Sequence, residues 1–321
     1  MNHRPFQIVV AERYGEAALA VLRKAGEVHV LDSYEESVLL RAVAEADALL
    51  VRTYAQVTAR VIEAAPRLRV IGRGGVGLDN VNVQAARARG IPVVYTPAAA
   101  THSVAELTIG LMIALERHIV GAHAAVRAGQ FAEARRVSRG RELHGLTMGI
   151  VGLGRIGRCV GRAAAGLGMN ILFNDIVDVG SLDFEARGVD KPTLFSTADV
   201  VTLHVPLTPS TRGLVNAEVL AGFRQPATLI NTARGAVVDL VALAAALQAG
   251  TVAGAALDVY DPEPPPPDHP ILHAPHVLFS AHVGARTHSG LARMEQVVED
   301  VVAVLNGGTP AYPAPPAEPC A

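Results

Sequence analysis

The sequence predicts an α/β protein built from two parallel-sheet domains, and three observations carry that expectation. Its 321 residues make about two domains at roughly 150 each. Short apolar runs alternate with amphipathic stretches twice over, through about residue 100 and again from Thr147. Strands alternating with helices mean βαβ units around a parallel sheet. Finally, Gly152-Leu153-Gly154-Arg155-Ile156-Gly157 stands between an apolar strand and a helix, as in doubly wound folds.

In the first series the strands are Gln7 to Ala11, Glu27 to Leu31, Ala48 to Val51, Arg69 to Gly72 and Pro92 to Tyr95. A sheet covered on both faces is expected to have continuously apolar strands rather than alternating ones. Helices fall at Glu16 to Lys24, Glu36 to Ala46, Ala59 to Ala64 and Val83 to Ala88. Ser103 and Glu106 read as a capping box that opens a long helix reaching about Val126. In the second series the strands are Met148 to Val151, Asn170 to Asn174, Asp199 to Leu203, Thr228 to Asn231, Ala253 to Leu257 and Val277 to Phe279. Ile156 to Leu167 is the helix after the glycine loop, and Thr287 to Leu305 is the last helix. The proline-rich tail from Gly307 to Ala321 reads as disordered.

Composition narrows the function. Hydrophobic residues make up 50% and charged residues 18%, which excludes a disordered chain. A net charge of −2 leaves no basic excess to hold nucleic acid or an anionic membrane. The stretch from Leu240 to Leu257 lacks charge, but Gln248, Gly250 and Gly254 break it into helix, turn and strand rather than a membrane span. Two cysteines, Cys159 and Cys320, allow at most one bridge, so a reduced, cytoplasmic setting is expected. The spacing of His269, His273 and His276 looks metal-like, but they sit in a proline-rich loop, and no metal is expected.

The glycine loop points to a dinucleotide. Gly152 makes the tight turn, Gly154 lets a pyrophosphate approach the backbone, and Gly157 lets helix and strand pack closely. The helix N-terminus presents N–H groups to phosphate. Asp175 follows 18 residues after Gly157, where a carboxylate can accept from both ribose hydroxyls of NAD. It would repel the 2′-phosphate of NADP, and Ile176, Val177 and Asp178 supply no cation to offset it.

Three further residues fall at predicted strand ends. Arg234 follows Thr228 to Asn231, and an arginine there can clamp a carboxylate with two hydrogen bonds. Glu263 lies in the loop that begins at Asp258. His282 follows the last strand. Reduction of an α-keto acid needs a hydride donor, a group that holds the carboxylate and an acid that protonates the new alkoxide. Histidine suits the last role at neutral pH, and Glu263 is the carboxylate expected to fix its ring.

With these residues in place, the chain resembles the D-isomer-specific 2-hydroxyacid dehydrogenases, and among them the phosphoglycerate dehydrogenase branch. The resemblance spans about 290 residues. It rests on the glycine loop, Leu203 to Leu214, Asn231 to Asp239, Gly254 to Pro265 and Ser280 to Ala285. It implies a discontinuous flavodoxin-like substrate domain (1–100 and 287–321) and an NAD-binding Rossmann domain (101–286), with the reaction between them. Hydride would pass between nicotinamide and C2 of a D-2-hydroxyacid, with 3-phosphoglycerate, hydroxypyruvate and glyoxylate as possible partners in the reaction.

The family's arginine, glutamate and acid–base histidine fall on Arg234, Glu263 and His282, and its carboxamide-binding aspartate on Asp258. Arg155 and Ile156 take the pyrophosphate contacts; His204, Val205 and Pro206 lie near the adenine and its ribose. Thr232 and Ala233 line the nicotinamide side, and Gly284 and Ala285, just after the histidine, border the cofactor. Gly75 and Val76 fall where backbone amides hold the substrate carboxylate, and Arg52 and Arg73 where arginines face a substrate phosphate. A homodimer is implied. Corepressors that sense redox state and bind peptides share this pattern, but no peptide-docking motif is evident here.

The chain departs from the pattern in three places. Ala100 stands where an asparagine is usual, and the regulatory domain of longer phosphoglycerate dehydrogenases does not follow. The segment from Gln130 to Arg141 carries Arg135, Arg136, Arg139 and Arg141, and in relatives this region reaches a partner's active site.

Overall fold

The computed structural model describes residues 4–137 and 139–316. The chain divides into two compact units, Met1–Ala100 with Thr287–Ala321, and Thr101–Arg286.

In the first unit, β1 (Phe6–Val10), β2 (Gly26–Val30), β3 (Ala48–Val51), β4 (Val70–Arg73) and β5 (Val93–Tyr95) form an all-parallel sheet. Its order is β2-β1-β3-β4-β5. The helices α1 (Glu16–Ala25), α2 (Glu36–Ala42), α3 (Ala59–Glu63) and α4 (Val83–Ala88) connect the strands. Side chains alternate across a strand, so neighbouring residues feed opposite cores. Leu49 packs with Leu39, Ile62 and Ile71 on one face, while Leu50 packs with Leu22, Val297 and Val301 on the other.

The second unit begins with α5 (Thr101–Glu116), α6 (Ile119–Arg127) and α7 (Phe131–Val137). It continues through β6 (Thr147–Val151), α8 (Arg155–Gly166), β7 (Asn170–Asn174), β8 (Arg187–Gly188), α9 (Lys191–Thr197), β9 (Val200–Leu203) and α10 (Ala217–Ala221). Then come β10 (Thr228–Asn231), α11 (Leu240–Gln248), β11 (Gly254–Leu257) and β12 (Val277–Phe279). Its seven strands are parallel in the order β12-β11-β10-β9-β6-β7-β8. Central strands β9, β10 and β11 are buried along their whole length. α5 packs on α8, with Leu111, Met112 and Leu115 in one core.

Two helices, α12 (His288–Glu295) and α13 (Val297–Leu305), return to the first unit. α13 lies so close to β4 that a Cβ on Gly72 would meet Val301 Cγ2 at 2.6 Å.

Four expectations about elements are corrected. The helix at Ser103 starts at Thr101, which leaves Ser103 inside it and buried rather than capping it. It does not run on to Val126: His118, at φ 53°, turns the chain, and α6 departs at 63° from α5. Among the described residues no single helix is long and apolar enough to cross a membrane, although this bent pair is so by length and composition when taken together. The last helix is divided at Gln296. The tail is ordered at least through its paired segment. Tyr95 N–H donates to Tyr312 O (3.1 Å), Ala314 N–H to Val93 O (2.7 Å), and the Asp300 carboxylate accepts from Ala311 and Tyr312. This pairing covers the open edge of β5, where unpaired backbone groups need partners. Cys320 lies outside the described residues.

The arginine-rich segment also resolves differently. Much of it is α7, and Ser138 lies outside the described residues. Arg136 pairs with Glu133 on the surface. Arg141 is bound to the buried Glu116 through Nε (2.6 Å) and Nη2 (2.8 Å), and its Nη1 donates to Pro226 O. Thr228 Oγ1 donates to the same carboxylate at 2.7 Å. Arg141 therefore ties α5 to the sheet instead of reaching for a ligand. Removing one partner of a buried pair strands the other, so Glu116→Ala should lower unfolding free energy by about 3 kcal/mol. Urea unfolding checks this, and a loss below about 1 kcal/mol would contradict it.

Candidate active site

In the second unit the strand order reverses between β6 and β9, and open parallel sheets bind ligands beyond the strand ends at such a switch point. The glycine loop leaves β6 there. Gly152 has φ +91°, and a Cβ on it would meet His204 O at 2.7 Å, so both conformation and space demand glycine. A Cβ on Gly157 would lie 2.2 Å from Gly152 O, which is the close helix–strand approach expected. Gly154 instead faces open space, with nothing within 4 Å of its Cβ position, and N-caps α8 without a side-chain cap. Arg155 is exposed and Ile156 half-buried on the first turn. The exposed cradle at a helix N-terminus fits a pyrophosphate.

Asp175 follows β7. Its Oδ2 accepts from Leu153 N–H at 2.7 Å and its Oδ1 from Val177 N–H at 3.2 Å, which fixes the carboxylate beside the loop. The next residue, Ile176, is 82% exposed, and no cation stands between it and Asp178. This donor set fits NAD, whose two ribose hydroxyls can give hydrogen bonds to a carboxylate.

His204, Val205 and Pro206 follow β9, with Val205 Cγ1 also close to Gly152. His204 Nε2 lies 3.0 Å from Thr202 Oγ1, while Nδ1 is buried without a partner among the described residues. Burial pushes the ring's pKa down to about 3, so it is neutral.

The turn after β10 is shaped by Asn231, which is fully buried. Its Oδ1 accepts from Ala233 N–H at 3.0 Å and its Nδ2 donates to Arg234 O at 2.9 Å. Arg234 is half-buried, and its Nη1 donates to Ala233 O at 2.7 Å. Thr232 Oγ1 lies 2.9 Å from Thr108 Oγ1. A Cβ on Gly235 would overlap the Tyr260 backbone at 1.9 Å, so this turn is pressed against the loop after β11.

That loop carries Asp258 and Glu263. His282 Nδ1 lies 2.7 Å from Glu263 Oε1, with both side chains about a quarter exposed. The pairing leaves Nε2 to exchange a proton. His282 has φ 51°, uncommon for a residue with a side chain. The conformation is held by Asp258. His282 N–H donates to Asp258 O (2.8 Å), Val283 N–H and Ser280 Oγ to Oδ1 (2.9 and 2.6 Å), and Gly284 N–H to Oδ2 (2.9 Å). Tyr260 Oη donates to Ser280 O at 2.6 Å, and burial, then the Asp258 charge, pushes its pKa up to about 12. Arg234 and His282 leave strands separated only by β11, about 10 Å apart by interstrand spacing. Ala285, half-buried, follows directly.

In the first unit Arg73 ends β4 and is buried, with its guanidinium lying over Gly75. Gly75 N–H already donates to Arg73 O at 2.9 Å, whereas Val76 N–H has no partner among the described residues. The two amides singled out for a carboxylate are thus not equivalent. Arg52 follows β3, half-buried.

Other candidates have local duties. His269 Nδ1 accepts from Ile271 N–H and caps a short helical turn. Among the described residues no group of His, Cys, Asp and Glu could hold a metal. Sequence reasoning passed over Asn231, Tyr260 and Ser280. Only Asn231 carried a signal, because asparagine at the end of a strand often bonds the turn that follows.

Residues 109–284 match the family described as D-isomer specific 2-hydroxyacid dehydrogenase, NAD binding domain. The D-3-phosphoglycerate dehydrogenase of Methanocaldococcus jannaschii is 42% identical over 306 residues, covering 94% of this chain and 58% of its own. A glyoxylate reductase of Thermofilum pendens is 38% identical, covering 95% of this chain and 93% of its own. The crystal structure of a glyoxylate reductase from Paecilomyes thermophila superposes with a TM-score of 0.90 at 27% identity, covering 99% of this chain and 100% of that one. The chain therefore belongs to the D-isomer-specific 2-hydroxyacid dehydrogenase family. It spans less than two thirds of the length of the phosphoglycerate dehydrogenases it matches.

The neutral His204 has a consequence for acid stability. Its native pKa is about 3 and its ordinary value 6.5, so the unfolded chain takes up this proton first as pH falls. Stability from this residue is complete above about 6.5 and is lost below it. His204→Gln should lose less stability than the parent between pH 6.5 and 4.5 in urea unfolding. Parallel losses would remove the buried neutral ring.

Proposed function

We propose that the chain is an NAD-dependent dehydrogenase acting on a D-2-hydroxyacid and its 2-keto acid. The observation that carries the reading is the 2.7 Å contact of His282 Nδ1 with Glu263, on a turn next-but-one in the sheet to that of Arg234. Bound NAD supplies the hydride acceptor or donor. Arg234, with the Val76 and Gly75 amides, holds the substrate carboxylate, and Arg234 polarises the carbonyl. His282 Nε2 takes the hydroxyl proton in oxidation and returns it in reduction. Glu263 fixes the orientation of the ring. Asp258, with Thr232, Ala233, Gly284 and Ala285 around it, borders the nicotinamide. The exposed cradle at Gly154, Arg155 and Ile156 takes the pyrophosphate, His204, Val205 and Pro206 border the adenosine half, and Asp175 takes the ribose.

Arg52 and Arg73 favour a substrate with a second anionic group, such as the 3-phosphate of a three-carbon acid. A second reading, glyoxylate or hydroxypyruvate reduction, is favoured by the near full-length match to a glyoxylate reductase. A cytoplasmic setting goes with either, supported by the low cysteine content.

We also infer a homodimer. Ile119, Val120, Val126 and Phe131 stand 48–60% exposed on α6 and α7, an apolar set that a second copy would cover. Light scattering at micromolar concentration should give twice 33.5 kDa, and a monomer refutes the inference.

The central test is His282→Ala, assayed on a panel of 2-keto acids with NADH and with NADPH. Turnover should fall at least ~100-fold, the usual contribution of a general acid–base group, with NADH affinity nearly unchanged. Full activity in the variant sinks the assignment. A strong NADPH preference in the parent sinks the role of Asp175.

A further inference from the structure

We infer that Glu12, helped by Asn80, is a positioning residue that sets Arg52 for the distal anionic group of the substrate; the inference rests on the phosphate-bearing reading above. Glu12 lies just beyond β1 and Arg52 just beyond β3. These strands are neighbours at the switch point of the first unit's sheet, since the chain adds β2 on one side of β1 and β3 on the other. That is where such sheets bind ligands.

The backbone from Arg52 to Ala55 wraps around one carboxylate. Glu12 Oε1 accepts from the N–H groups of Arg52 (2.8 Å), Tyr54 (3.1 Å) and Ala55 (3.1 Å), and Oε2 from Thr53 (3.0 Å). Four successive amides converging on one point form an anion-binding concavity, and here the protein fills it itself. The carbonyl side is held by Asn80, which is buried. Its Nδ2 donates to Arg52 O (3.1 Å) and Ala55 O (2.8 Å). The Arg52 stem thus leaves a backbone pinned on both sides.

Among the described residues, the head of Arg52 is met by neutral groups. Nη1 donates to Arg13 O at 3.2 Å, Nη2 faces Met294 Sδ at 3.5 Å, and the guanidinium lies 5.8 Å from the centre of the Tyr14 ring. Burial keeps the Tyr14 phenol protonated, and it donates to Val51 O at 3.0 Å. Among the described residues no carboxylate pairs with the Arg52 guanidinium. Glu12 spends its charge on the backbone, so the arginine is aimed without being neutralised. A dianionic phosphate ester is the substrate group that gains most from that arrangement.

The test compares hydroxypyruvate with its 3-phosphate ester, reduced with NADH. The parent should prefer the ester, and Arg52→Ala should raise the KM of the ester alone. Glu12→Gln keeps a carbonyl oxygen for three of the four amides and turns an NH2 toward the Thr53 N–H. It should raise the KM for the ester by about threefold to tenfold and leave that for hydroxypyruvate within about twofold, with kcat nearly constant for both. Glu12→Ala should do more of the same where it folds, as judged by its melting curve. In the Arg52→Ala background Glu12→Gln should add nothing, because both act through one guanidinium.

Equal KM changes for the two substrates, an additive double variant, or no change in Glu12→Gln while Arg52→Ala loses the ester, would overturn the positioning role and leave the phosphate reading standing. If the parent shows no preference for the ester, or Arg52→Ala has no effect, the phosphate reading fails and takes this inference with it.

Discussion

The buried carboxylate of Asp258 decides where the His282 ring can be. Three successive amides and one hydroxyl of the 280–284 turn bond to this one residue. Without that capture, a non-glycine residue at φ 51° would relax toward the ordinary backbone regions. The turn presents the His282 ring, and Glu263 then selects which nitrogen faces outward. A buried polar group must find hydrogen-bond partners, and the donors of this turn supply them to Asp258.

The parallel sheet supplies the frame for this arrangement. Six of the seven strands of the second unit deliver a different group at the carboxyl end, and the fixed interstrand spacing converts chain order into spatial order. The glycine loop, Asp175, His204, Arg234, Asp258 and His282 all leave strands at this one edge. The residues that carry chemistry stand on turns, and the turns are shaped by polar residues immediately behind them: Asn231 behind Arg234, Asp258 behind His282. The first unit repeats the device at its own sheet edge, where Glu12 and Asn80 organise the turn that bears Arg52. In each case a short side chain bonds backbone groups that the end of the strand would leave without partners.

Much of this was legible in the sequence. Apolar runs bounded by turn residues located nearly every strand of both sheets, because a strand buried on both faces has no choice of composition. The spacing of the glycine loop was legible because Gly152 and Gly157 answer local steric demands, while Gly154 leaves open space at the start of α8. Boundaries that depend on packing were less legible. Ser103 and Glu106 have the pattern of a cap, yet burial against the neighbouring strands and α8 extends α5 back to Thr101. The proline-rich tail looked unstructured, yet the bare edge of β5 and the carboxylate of Asp300 recruit it.

What the sequence determined by itself was therefore periodic or local: two βα series, a glycine loop followed by an acidic residue, and the motifs of the family to which the chain belongs. What only the tertiary structure decided was non-local. Glu263 meets His282 across 19 residues, Glu12 gathers amides some 40 residues away, and Arg141 is committed to Glu116 across 25. The reason is that a charged side chain's role depends on which backbone groups and opposite charges surround it. Those neighbours are chosen by strand order and packing, which no run of adjacent residues encodes.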